Sequence, residues 1–274
     1  MEDRKQQEVE FHNRLRSDEL AQNEQLYRHY TSNYKFYAID RGNRSFCEEW
    51  LQRRCSNKRV LDYCCGDGDY SLAGARYGAE TVGIDISDVS IEKCRKRAAR
   101  EGFGAKTSFM VMDAEALEFG DNSFDVIICA GVLHHLDLER AYSELARVLK
   151  PDGEIMCMEP LAHNPLIGLY RRLTPHLRTT YEAEHILRMD DVLLARRYFR
   201  TVRTRFFHLV TLAAVPFRRM PGFAVLLGIL EAIDSALLRI PWIGKFAWMV
   251  SFVLGDPVKT AAVSLKESAQ AARP

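Results

Sequence analysis

The sequence predicts an α/β fold, a parallel sheet with helices on both faces. Three observations carry that expectation. Short apolar runs alternate with amphipathic helical segments from Arg59 to Met158, the pattern of strands joined by helical crossovers. The strand ends carry aspartates and a glycine-bearing turn, as the carboxyl edge of an open parallel sheet does when it holds a ligand. The 274 residues are 47% hydrophobic and 27% charged. That is an ordinary globular balance, and the chain is long enough to build a core without staples.

The elements follow in order. Residues 1–58 read as a polar helical region, dense in tyrosine between Tyr27 and Tyr37. Arg59–Cys64 is a strand, with a helix near Ser71–Tyr77. Thr81–Ile84 is a strand ending at Asp85, and Asp88–Glu101 a helix. Thr107–Met112 is a strand ending at Asp113, and Phe124–Cys129 another. Leu138–Leu149 is a helix with one apolar face. Pro151-Asp152-Gly153 is a turn signal, and Glu154–Met158 is the next strand. From Glu159 to His185 the pattern loosens into a loop rich in His, Asn, Pro and Arg. A helix near Asp190–Arg197 and a strand at Phe199–His208 follow. Leu209–Gly255 is apolar and helical in pattern, and Val258–Leu265 reads as the last strand. The expected organisation is therefore an N-terminal region at 1–58, a core at 59–208 and 257–266, and an apolar helical insertion at 209–256.

A net charge of +1 names no partner. Seven cysteines, an odd number with no C-x-x-C pair, suit reduced thiols in a cytoplasmic protein rather than a disulfide framework. No metal site is expected. The polar start, Met1-Glu2-Asp3-Arg4-Lys5, does not read as a signal peptide.

Four strand ends are chemically suggestive. At Cys64-Cys65-Gly66-Asp67-Gly68 the glycines let the backbone bend sharply and approach a ligand, ahead of a helix N-terminus that favours a carboxylate or phosphate. Asp85 lies about twenty residues on, where a carboxylate accepts both ribose hydroxyls. Asp113-Ala114 is placed to receive an exocyclic amine. Ala130-Gly131-Val132-Leu133-His134-His135 faces the middle of the cleft. These residues alone fit a nicotinamide or another adenosine cofactor. The third glycine of a dinucleotide fingerprint would fall at Ser71, which weakens the dinucleotide reading.

Taken together, the motifs resemble those of class I S-adenosylmethionine-dependent methyltransferases of the small-molecule or lipid type. Val60-Leu61-Asp62-Tyr63-Cys64-Cys65-Gly66-Asp67-Gly68 resembles the first motif and Val82-Gly83-Ile84-Asp85-Ile86-Ser87 the second. Met112-Asp113-Ala114 resembles the third. Asn122–Ile127 with Val132–Leu136 resembles the fourth, and Leu145–Glu154 the segment before the fifth strand. The resemblance implies a Rossmann-like seven-stranded methyltransferase sheet, an N-terminal helical lid, and the insertion emerging on the cofactor side before an antiparallel last strand. It implies that Asp62, Cys64, Cys65, Gly66 and Gly68 hold the methionine end of S-adenosyl-L-methionine. Asp85 would take the ribose hydroxyls and Asp113 the adenine amine, with Ala114 on the ring, and Ile86 and Ala130 would be further cofactor contacts. Tyr34 and Tyr37, with Tyr30, fall where relatives place a lid. The chain departs from the usual Gly-Cys-Gly at Cys64-Cys65-Gly66, so a thiol replaces a hydrogen there.

Methyl transfer from a sulfonium chiefly needs orientation and exclusion of water. A base is required where the acceptor must lose a proton. His135 is the leading candidate and His134 the second; adjacent residues at a strand end point different ways, so the two are not expected to act together. A packing histidine is the bland alternative for either.

The insertion contains Phe223–Leu230, Ile240–Ile243 and Phe246–Val250, interrupted by Arg218, Arg219, Glu231, Asp234, Arg239 and Lys245. No uncharged run reaches the ~18 residues that span a bilayer. From Val192 to Leu230 there is no acidic residue, but seven arginines. Such a segment suits contact with an anionic membrane surface, a lid over a lipophilic substrate, a packed cap or a homodimer interface. Its apolar content argues against nucleic acid. His163, Arg171 and Arg178 form a second candidate substrate wall that would clamp an anionic group. The expected function is methyl transfer to a lipophilic small molecule or lipid-like acceptor, cytoplasmic or peripheral at the membrane. The rivals are an NAD-type oxidoreductase and a catalytically silent scaffold.

Overall fold

A computed structural model describes residues 2–17, 20 and 22–259. The chain divides into two compact units. The sheet unit comprises Trp50–Met158, Asp190–Arg203 and the segment from Phe252. The helical unit comprises the chain up to Glu49, Glu159–Met189 and Thr204–Ser251.

Among the described residues seven strands form one sheet: β1 (Arg59–Tyr63), β2 (Glu80–Asp85), β3 (Thr107–Val111), β4 (Phe124–Ala130), β5 (Leu149–Pro160), β6 (Phe199–Phe207) and β7 (Met249–Pro257), in the order β3-β2-β1-β4-β5-β7-β6. β1 pairs in parallel with β2 and β4, β2 with β3, and β4 with β5. The strand order reverses between β1 and β4, where ligands gather in such sheets. At the other edge Val258 N donates to Tyr198 O and Trp248 N to His208 O, so β6 and β7 run antiparallel, as the resemblance implies.

The crossover helices are set by local chemistry. In α4 (Asp69–Arg76) the first residue follows Gly68, whose φ is 76°. Ser87 caps α5 (Asp88–Arg100) by accepting from Ser90 N, and the basic Arg97 and Arg100 fall in its last turn. Asp137 caps α6 (Leu138–Val148), whose Ala141, Tyr142, Leu145, Ala146 and Val148 are buried. Cys65, Leu72, Ile91, Cys94, Ala98 and Phe109 make one core cluster of this unit. Gly83 on β2 is needed there: a Cβ would lie 2.6 Å from a Phe109 ring carbon and 3.0 Å from Ser71 Oγ.

The helical unit contains α1 (Glu2–Leu15), α2 (Glu24–Tyr30), a 3₁₀ segment (Ser32–Ile39) and α3 (Arg41–Gln52), which runs on into the sheet unit. It also holds α7 (Pro165–Leu173), α8 (Thr180–Glu184), α10 (Phe223–Leu237) and α11 (Pro241–Gly244). The short α9 (Met189–Leu194) leads back toward β6. Ile39, Ile167, Leu212, Ala214, Val215 and Leu227 form the helical unit's core, with Phe36, Phe223, Leu226, Leu230 and Trp248 packed against it.

Three expectations are corrected. The last strand is Met249–Pro257 rather than Val258–Leu265; Val258 and Lys259 follow it, and residues 260–265 lie outside the described residues. Its residues 250–255 are buried on both faces, so they read as one apolar run with the insertion. Pro151-Asp152-Gly153 lies inside β5, at a register shift where Phe124 pairs with Leu149 but Val126 with Glu154. The stretch after Glu159 is not a loop throughout: Asn164 accepts from Leu166 N and Ile167 N, and Pro165 opens α7.

Candidate active site

The carboxyl ends of β1 to β5 converge at the Cys64–Gly68 turn. Cys64, Gly66 and Gly68 have φ of 59°, 53° and 76°, so three residues of the turn are left-handed, one of them without a glycine's freedom. Cys65 N donates to Ile84 O at 2.7 Å and Gly68 N to Cys65 O at 2.8 Å. Arg97 clamps the turn from α5, donating to Asp67 O at 3.0 Å and Asp69 Oδ1 at 2.6 Å.

Asp62 is buried behind the turn, and its Oδ2 accepts from Ser71 N at 2.8 Å and Ser71 Oγ at 2.7 Å. Burial pushes its carboxyl up to about 7 against the pull of those two bonds. Ser71, sitting where a dinucleotide fold has its third glycine, thus anchors helix to strand. Asp85 Oδ2 accepts from Gly66 N and Oδ1 from Ser87 N, both at 2.9 Å. The same carboxylate therefore orders the turn and the start of α5, while ~two of a carboxylate's four acceptor sites remain.

Met112 N donates to Asp85 O at 3.0 Å, which sets Asp113-Ala114 beside Asp85-Ile86. Asp113 Oδ1 accepts from Glu115 N at 2.9 Å. The buried Tyr63 hydroxyl donates to Ala114 O at 2.6 Å. On the other side of β1, Ala130 pairs with Met158. Gly131, at φ 65°, donates to Met158 O at 2.7 Å, and a Cβ there would meet nothing within 4 Å. The backbone thus leaves open space beside the turn.

Burial pushes the Cys64 thiol well above its usual range. A hydrogen bond with Cys94, together with burial, does the same to Cys65. Both are neutral thiols, which fits a packing role and not a nucleophile. His134 and His135 sit on a 3₁₀ turn rather than at a strand end. Their rings are 4.3 Å apart at 37°. The expectation that they point different ways is therefore corrected: a 3₁₀ turn does not send successive side chains to opposite faces as a strand does.

Two residues that the sequence did not single out also line this region. The Tyr70 hydroxyl on α4 reaches Met158 Sδ at 3.4 Å, and buried Glu115 accepts from Asp137 N at 2.8 Å. Tyr70 directly follows the glycine turn, which is a usable signal. Glu115 offered none.

The other candidates belong to the helical unit. Tyr34 and Tyr37 pack ring to ring at 5.3 Å on the 3₁₀ segment. His163 Nε2 accepts from Met189 N at 3.4 Å. Arg171 donates to Leu161 O at 3.0 Å, and burial with the Arg178 charge pulls its guanidinium down to about 10. Arg178 donates to Thr174 O at 3.1 Å and lies 3.5 Å from Glu182.

A family described as Methyltransferase domain matches residues 60–153, the segment that builds the turn, both flanking acids and the β4 end. Residues 60–153 thus match a methyltransferase domain, and the rest of the chain lies outside that match. The chain is 32% identical over 124 residues to a demethylmenaquinone methyltransferase of Bacteroides fragilis, covering 44% of this chain and 50% of that one. It is 36% identical over 114 residues to the ubiquinone/menaquinone biosynthesis C-methyltransferase of Dinoroseobacter shibae, covering 40% and 45%. The chain spans about half the length of these curated relatives. A geranyl diphosphate C-methyltransferase from Streptomyces coelicolor, solved with Mg2+, geranyl diphosphate and S-adenosyl-L-homocysteine, superposes at a TM-score of 0.54 and 16% identity over 81% of this chain and 84% of that one. The YcgJ protein of Bacillus subtilis superposes at 0.52 and 19% over 80% and 98%. At those identities the structural likeness is one of fold. It bears out the seven-stranded sheet with helices around it.

Proposed function

We propose that this protein transfers the methyl group of S-adenosyl-L-methionine to a lipophilic small molecule or lipid-like acceptor, in the cytoplasm and peripheral at a membrane. The observation that carries the reading is the left-handed Cys64–Gly68 turn locked onto Asp85 inside the segment that matches the methyltransferase domain.

The cradle fits the cofactor's chemistry. Asp62 is engaged by Ser71 and Asp69 by Arg97, so the acid at the turn with acceptor sites to spare is Asp85, which suits a ligand that presents hydroxyls there. In this reading Cys64–Gly68 hold the methionine end and Asp62 steadies the turn. Asp85 with Ile86 takes the ribose hydroxyls, Asp113 with Ala114 the adenine, and Ala130-Gly131 leave room beside them. When bound, the cofactor supplies an electrophilic methyl group whose departure leaves a neutral thioether.

The chain's own residues position the acceptor and exclude water. His135, or His134 beside it, takes a proton where the acceptor must lose one. Tyr34 and Tyr37 serve as part of a lid. His163, Arg171 and Arg178 meet an anionic group on the acceptor. Support for a lipophilic acceptor comes from the relatives' quinone substrates and from the apolar helical unit.

Calorimetry tests the cofactor. S-adenosyl-L-methionine is expected to bind in preference to NAD, and Asp85→Ala to weaken binding by about tenfold or more, the loss of a pair of hydrogen bonds to a charged group. Tight NAD binding without S-adenosylmethionine binding overturns the proposal, and an Asp85→Ala protein with undiminished affinity supports the scaffold instead. Mass spectrometry of lipid extracts incubated with methyl-labelled cofactor then identifies the acceptor.

A further inference from the structure

The helical unit exposes apolar side chains in two helical stripes. On α7, Leu166, Leu169 and Leu173 are 56 to 71% exposed, spaced to share one face. On α10, Val225, Ile229 and Ile233 are 43 to 69% exposed and spaced by one turn. Ala224, Ala232 and Ala236 are exposed beside them. Trp242, 68% exposed, follows on α11. Isolated exposed apolar residues are ordinary, but contiguous apolar faces mark interaction surfaces.

Both helices are firmly seated on their opposite sides, so these faces are not loose ends. Ile167 and Leu227 lie in the same core cluster. Asn164 Nδ2 donates to Phe246 O at 2.8 Å, and Leu161 N to Trp248 O at 2.7 Å. The α7 segment and the insertion are thereby tied together.

The charge around these stripes has one sign. Beside the α7 stripe Arg172 is exposed, whereas Arg171 is held at Leu161 O and Arg178 is paired with Glu182. Around α10 the exposed charges are Arg219, Arg239 and Lys245, with Arg218 half-buried. The two acids of that segment are neutralised: Glu231 is bound by Arg41 at 2.5 Å, and Asp234 is buried under backbone N–H groups. A second copy would set one basic rim against another, whereas an anionic lipid surface complements both the apolar face and the rim.

We infer that the α7 and α10 stripes, with Trp242, form one docking surface for an anionic lipid bilayer, the side chains entering the acyl boundary and the arginines meeting the headgroups. This deepens the peripheral placement proposed above and extends it to α7, outside the insertion.

The test is flotation of the full chain with phosphatidylcholine vesicles and with vesicles containing phosphatidylglycerol. Binding is expected to the anionic vesicles, to weaken with salt, and to move Trp242 emission to the blue, measured against Trp242→Phe. Leu166→Gln/Leu169→Gln/Leu173→Gln and Val225→Ser/Ile229→Asn/Ile233→Asn are each expected to reduce partition by about tenfold or more, with circular dichroism and melting temperature unchanged. Binding by both variants as strong as the parent's, or none by the parent at low salt, overturns the inference. So does a dimer by sedimentation that either triple variant breaks, since that assigns the face to a second copy. Should a variant fold poorly, quenching of Trp242 by brominated lipid in the parent chain decides alone: quenching supports the surface and its absence overturns it. Methyl transfer to a detergent-dispersed acceptor is read in parallel. Activity that survives loss of vesicle binding separates failure of this surface from failure of the proposed function.

Discussion

Cys64 holds a left-handed conformation at φ 59°, at the position where the resembling family usually has glycine. A non-glycine residue there carries roughly 1–2 kcal/mol of strain, partly offset because glycine loses more entropy on folding. Cys64→Gly is therefore expected to stabilise the chain by about 0.5–1 kcal/mol and to leave cofactor affinity within twofold. A denaturant midpoint that falls instead would mean that the thiol's packing outweighs the strain. The turn's identity was legible because its glycines and acids fall at fixed offsets. The strain at Cys64 was not, since φ is imposed by the bonds of Cys65 N and Gly68 N to residues on either side. The closeness of the His134 and His135 rings is hidden for a related reason: a three-residue 3₁₀ turn has no periodicity to read.

At the scale of elements, α10 shows what an acid within an apolar run can be for. In the sequence Asp234 reads as a charge interrupting hydrophobic residues. In the fold it is buried, and accepts from Leu209 N at 3.0 Å, Val210 N at 2.7 Å, Thr211 N at 3.2 Å and Thr211 Oγ1 at 2.8 Å. It thereby satisfies the segment that leaves β6. Just before that segment His208, at φ 66°, reaches Asp40 Oδ1 at 3.0 Å through Nε2. Asp234→Ala strips buried donors of a charged partner and is expected to cost about 2–4 kcal/mol; Asp234→Asn, which keeps one acceptor oxygen, should cost less. Thermal melts of the two variants check this, and equal midpoints for Ala and wild type would remove the role. The partners lie more than twenty positions away in sequence, so no local pattern announced them. Asn164 was plainer, because a cap and a proline side by side are a local start signal. The surrounding His, Asn and Pro residues nonetheless resemble a loop.

For the whole molecule, the buried Asp62 carboxyl couples folding to pH. Its ordinary value is about 3.9, and in the fold it is pushed up to about 7. Between those values the folded chain keeps a proton that the unfolded chain has released. Stability is therefore expected to fall as pH rises from about 4 to 7 and to level off above. Asp62→Asn should flatten that slope. Urea midpoints of both proteins from pH 4.5 to 8 measure it, and parallel slopes would show that Asp62 does not titrate in this window. At this scale most of the architecture was readable, because crossover helices and strands alternate in period and the acids mark the strand ends. The exception was β7. A strand buried on both faces has no alternation, so Met249–Leu254 merged with the apolar run before it.

The pairing of Trp248 N with His208 O closes the chain between β6 and β7 at its neck. Everything from Leu209 to Ala247 departs from and returns to one hydrogen-bonded junction. The register of the two strands is therefore independent of how much chain lies beyond it, and doubling that length would cost only about 0.6 kcal/mol in closure entropy. Lengthening, shortening or rewriting that excursion is therefore compatible with an unchanged pairing of β6 and β7.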